Sequence, residues 1–76
     1  MTSGLPVISG KKAVKAFEKA GWRLVRIGSN RHMIMKKKGM ITTLSIPDHK
    51  ELDRGLLRSL IRDAYLSIEE FNKLLE

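Results

Sequence analysis

From Gly10 to Ala20 the apolar residues Ala13, Val14, Ala16, Phe17 and Ala20 recur at helical spacing, while Lys11, Lys12, Lys15 and Lys19 fill the other positions. That pattern predicts an amphipathic helix with a basic outer face, capped by Ser9 and ended by Gly21. Residues 1 to 8 precede it as a loose or extended lead-in, with Pro6 removing one backbone donor. Trp22 to Ile27 is short, apolar and β-prone, with arginines at 23 and 26, and predicts a strand. After the break at "GSN", a second strand is expected over Arg31–Lys37. Lys38 and Gly39 then read as a two-residue turn into a third strand, Met40–Ile46, rich in β-branched residues. Pro47 should end the sheet.

Asp53 is placed to cap a second helix, in which Leu56, Leu57, Leu60, Ile61 and Ala64 make the apolar stripe. That helix should break near Tyr65. Ser67 followed by Glu70 has the form of a capping box, opening a short last helix with Phe71, Leu74 and Leu75 on one face. The order is α-β-β-β-α with an extra short helix. An α+β fold follows, in which a three-stranded antiparallel sheet has its apolar face covered by both amphipathic helices and its other face wet. At 76 residues the chain has material for one core, so a single domain is expected over residues 1–76.

Period-two alternation on the second strand separates Met33 and Met35 from His32, Ile34 and Lys36. If the methionines fill the core, as methionines at this spacing usually do, His32 faces solvent on the side that carries Lys36. Met40 and Trp22 read as core residues for the same reason.

Composition narrows the chemistry. No cysteine is present, which removes disulfides and thiolate metal ligands, and two histidines without clustered carboxylates make no metal site, so neither metal nor cofactor is expected. The opening stretch "MTSGLPVISGKK" lacks the apolar region of a signal peptide, and no apolar run has the length of a membrane span. A soluble, cytoplasmic protein is expected. Gly-rich phosphate loops, nucleophile elbows and paired strand carboxylates are all missing.

Charge points to a partner. The net +7 is unevenly spread: residues 1–50 carry +9 and residues 51–76 carry −2. The positive excess lies on the first helix and the sheet, where it favours a polyanion through counterion release. Cutting RNA without a metal needs a group that takes the ribose 2′-OH proton and cations that stabilise the phosphorane-like state. Histidine suits the first task, lysine and arginine the second. His32 is the candidate base, with Arg31 beside it and Lys36 on its face. His49, in the loop "PDHK", is a candidate general acid or phosphate contact, or a residue bonded within its turn. Lys11, Lys12 and Lys15 either track a phosphate backbone or form a solvated face.

Four segments, "LPVISGKKAVKAFEKAGW", the "GS…H" element, "LSIPDHKELDRGLLRSLIRDA" and "LSIEEF", together resemble the HicA toxins, small messenger-RNA interferases. The resemblance covers Leu5 to Leu75. It implies a fold like a double-stranded-RNA-binding domain and metal-independent endoribonuclease activity on messenger RNA that inhibits translation. It also implies neutralisation by a HicB antitoxin, with the free toxin a monomer. In that family the catalytic histidine follows a Gly-Ser pair and opens the second strand. Here Gly28 and Ser29 supply the pair. Either Asn30 and Arg31 lengthen the loop and His32 takes the histidine's place, which is the alignment adopted, or a gapless alignment puts Asn30 there. Asparagine cannot act as a general base. Two readings compete with the nuclease: a non-catalytic RNA-binding module, and a pure interaction protein that binds an acidic antitoxin.

Overall fold

The Ser9 hydroxyl accepts a hydrogen bond from the Lys12 N–H (3.1 Å), and helix α1 runs from it over Gly10–Lys19 in the computed structural model, which describes residues 4–76. Its end is a Schellman motif: Trp22 N–H donates to the Phe17 carbonyl and Gly21 N–H to that of Glu18, with Gly21 at φ +100°. Strands β1 (Arg23–Ile27), β2 (His32–Lys36) and β3 (Leu44–Pro47) follow, then α2 (Arg54–Asp63) and α3 (Ile68–Leu74). Asp53 Oδ2 accepts from Leu56 N–H, and Ser67 and Glu70 form the complete capping box. The expected α+β order and the extra helix are both present.

The sheet is antiparallel throughout in the order β1-β2-β3. Helix α1 packs against β1 and β3, and α2 against β3, so one face is covered. The core under it comprises Phe17, Trp22, Met33, Met35, Leu44, Ile46, Leu57, Leu60, Ile61 and Phe71, among others. Phe17 and Phe71 meet with ring centroids 5.0 Å apart and planes inclined at 46°, which ties α3 to α1. Trp22 is buried as expected, but its Nε1 finds no hydrogen-bond partner. Such a buried orphan donor costs about 1–3 kcal/mol.

Three expectations change. The third strand begins at Leu44 rather than Met40 and includes Pro47. Lys38 and Gly39 do turn, with Met40 N–H donating to the Lys37 carbonyl, but residues 40–43 gain no ladder partner and Ile41 stands fully exposed. β-propensity without a neighbouring strand is insufficient. The lead-in is pinned rather than loose over its described part. Leu5 and Ile8 are buried, and Leu52, itself a buried loop residue, donates its N–H to the Ile8 carbonyl; residues 1–3 lie outside the described residues.

The third change concerns β1, which has no buried residue. As an edge strand it leaves Leu24, Val25 and Ile27 at 41%, 42% and 64% exposure. A bulge sits in it: Leu24 opposes Met35 and Arg26 opposes Ile34, so Val25 has no opposite number.

Candidate nucleic-acid interface

The wet face is fixed by register, because directly opposed residues of antiparallel strands share a face. Met33 and Met35 are buried beneath the sheet, so His32, Ile34 and Lys36 project from its uncovered side. Arg23 opposes Lys36 and Arg26 opposes Ile34, so both arginines join that side. Strict alternation would have put residues 23 and 26 on opposite faces; the extra Val25 between them restores their parity. Periodicity alone therefore leaves one of the two arginines off the site. A bulge leaves no signal in a two-residue repeat.

His32 opens β2 directly after a tight turn over Ser29–Arg31. Asn30 (φ 57°, ψ 29°) and Arg31 (φ 59°) are both left-handed, and the His32 N–H donates back to the Ser29 carbonyl. This is a hairpin turn of the I′ kind, for which asparagine at the first central position is favoured and glycine is usual at the second. The same Ser29 carbonyl lies 3.1 Å from His32 Nδ1. A carbonyl only accepts, so Nδ1 carries the proton, and the neutral ring presents Nε2 as a free acceptor. The ring is half-buried, and its orientation is held by its own turn.

Three segments converge at this end of the sheet. His32 opposes Pro47 across the ladder, Asp48 N–H donates to the Arg31 carbonyl, and Gly10 N–H donates to the His49 carbonyl. Gly10 at the head of α1 lies so close to the Pro47 backbone that an added Cβ would collide with its carbonyl oxygen. His49 therefore anchors α1 through its backbone while its residue stays exposed. Lys11, Lys12 and Lys15 are exposed and line one recess with Ser9. They stand on α1, which covers one side of the sheet, whereas His32 projects from the other. Arg26 folds toward the same end: the ideal Cβ position at Gly28 lies 3.4 Å from its Nη1 and 3.8 Å from the His32 carbonyl oxygen.

The expected set thus divides. Arg31, His32, His49 and the head of α1 come together, with Arg26 added. Lys36 shares the face of His32 but stands at the far end of β2, four residues and about 13 Å away at the usual strand rise.

No helix among the described residues is long and apolar enough to cross a membrane, and no three His, Cys, Asp or Glu side chains among them are grouped to hold a metal ion. What the arrangement offers is an imidazole whose Nδ1 is engaged by the Ser29 carbonyl, on the face of the sheet that also carries Arg26.

No curated protein matches the chain. The family model of the HicA toxin of bacterial toxin–antitoxin systems matches residues 10–66, which include α1, the whole sheet, α2 and the histidine-bearing turn. Since that match takes in well over half of the residues, the chain belongs to the HicA toxin family.

Proposed function

We propose that this toxin is a metal-independent endoribonuclease that cuts messenger RNA and so inhibits translation, with His32 as its proton-transfer residue. The observation that carries the reading is the Ser29 carbonyl at 3.1 Å from His32 Nδ1, which leaves Nε2 free to accept a proton on the cationic face of the sheet. In the reaction, Nε2 takes the proton of a ribose 2′-OH as that oxygen attacks the adjacent phosphorus. The bond to the 5′-oxygen breaks, that oxygen leaves with a proton from an acid such as His49 or water, and the products are a 2′,3′-cyclic phosphate and a 5′-hydroxyl. Arg31, next to His32 in the chain, and Arg26, on the same face of the sheet, are the cations we assign to stabilising the charge that builds on the phosphorane.

Lys11, Lys12 and Lys15 support the binding half of the proposal. Two of them stand in the first turn of α1, which holds no acidic residue. A cation at the positive end of a helix forgoes about 0.3–1 kcal/mol of favourable dipole interaction, and a bound phosphate offsets that loss. Family membership implies a cognate antitoxin; we take it to be a HicB-like protein that neutralises a monomeric, cytoplasmic toxin.

The test is cleavage of a model RNA in EDTA by wild type and His32→Ala, with the fold of each checked by circular dichroism. Cutting by the wild type alone, giving cyclic-phosphate ends, is expected. Equal cutting by the variant would remove His32 from the chemistry. RNA bound but uncut by the wild type would leave a binding module instead.

A further inference from the structure

At the opposite end of the wet face from His32, Arg23, Lys36, Lys37 and Lys38 line an open recess together with Gly21, and none of its lining residues is acidic. The sequence distributes these cations over the start of β1 and the end of β2; the ladder joins them, because Arg23 directly opposes Lys36. Lys37 is set by a different contact. Its side chain crosses Gly21 at the end of α1, where the ideal Cβ position would lie 3.2 Å from Lys37 Cε and 3.7 Å from Nζ. Its ammonium is thus held near the negative end of the helix, which favours a cation there. Lys38 follows in the turn closed by Met40 N–H and the Lys37 carbonyl, whose Gly39 (φ +85°) has open space around it. Four cations in one concave place repel one another, and nothing in the fold's packing requires Arg23, Lys36 or Lys38 to stand there, since all three are exposed. A bound polyanion removes that repulsion.

We propose that this cradle is a second phosphate-binding site, which holds the backbone of the same RNA strand whose scissile phosphate lies at His32. The inference rests on the nuclease or RNA-binding reading above. The separation fixes its register: about 13 Å along β2 corresponds to roughly two to three nucleotides of an extended strand. Between the two ends the strand passes over Ile34 and Arg26. The cradle therefore acts on affinity and on the minimum length of RNA that is bound well, not on the chemical step. Short fragments reach one end only, and longer ones reach both.

The experiment uses the full chain and 2′-O-methyl oligoribonucleotides, which cannot be cut, in tri-, hexa- and nonanucleotide lengths, with binding followed by fluorescence anisotropy. Wild type should gain affinity from the trimer to the hexamer. Arg23→Gln/Lys38→Gln, two exposed substitutions, should lose most of that gain, and its salt slope on the hexamer should fall by roughly one per cation removed. Cleavable RNA of the same lengths should show the loss in KM with kcat retained. Hexamer binding by the double variant as tight and as salt-dependent as wild type would overturn the cradle while leaving the His32 reading standing. Failure of wild type to bind any of the lengths would overturn the RNA reading and the cradle with it.

Discussion

Arg31 holds φ 59° at a turn position that glycine usually occupies, and for a residue with a Cβ this left-handed conformation costs about 1–2 kcal/mol. The strain stands directly beside the histidine, at the place where, in the function we propose, the guanidinium serves a phosphate. Arg31→Gly should therefore raise stability by about 1 kcal/mol, seen as a Tm about 4–8 °C higher, while lowering RNA affinity and cutting. An unchanged Tm would deny the strain, and unchanged binding would deny the side chain a role. Asn30, by contrast, suits its left-handed position, since asparagine is enriched there. That preference gives Asn30 a structural reason to be in the turn and supports the alignment with His32 as the strand-opening residue. At this scale the histidine and the turn breakers could be read from residue types alone. The tautomer could not, because it depends on where a backbone carbonyl lands.

Helices α1 and α2 end in the same hydrogen-bond pattern with different residues at the left-handed position. Gly21 closes α1, whereas Tyr65 (φ 60°, 78% exposed) closes α2, with Leu66 N–H donating to the Ile61 carbonyl and Tyr65 N–H to that of Arg62. Helix α3 is too short to stand alone and depends on two devices, its capping box and the Phe71 ring against Phe17. Packing should dominate. Phe71→Ala is expected to cost about 3–5 kcal/mol and Ser67→Ala about 1 kcal/mol in chemical denaturation; equal losses would mean that α3 is held by its cap rather than by its ring. The helices and their caps were legible because capping chemistry is local. The late start of β3 and the exposure of β1 were not, since each depends on which strand lies alongside.

The molecule as a whole separates its charges, with +9 over residues 1–50 and −2 over residues 51–76. If RNA binds where we place it, affinity should fall steeply with salt, and the slope should respond to position rather than to charge count. Replacing Lys11, Lys12 and Lys15 with Gln should reduce the slope by roughly one for each phosphate that is no longer neutralised, whereas Arg58→Gln/Arg62→Gln on α2 should leave it unchanged. Equal effects from both sets would indicate a diffuse attraction without a defined footprint. Composition alone gave the expectation of a polyanion partner, and only the ladder register brought Arg23 and Lys36 together. That register turns on Val25. Because this one residue is counted in the chain but skipped in the pairing, β1 is in effect written in two reading frames that meet at it, and a ladder that paired Val25 instead of skipping it would leave the composition untouched while trading Arg26 for the aliphatic Ile27 on the surface we propose for RNA.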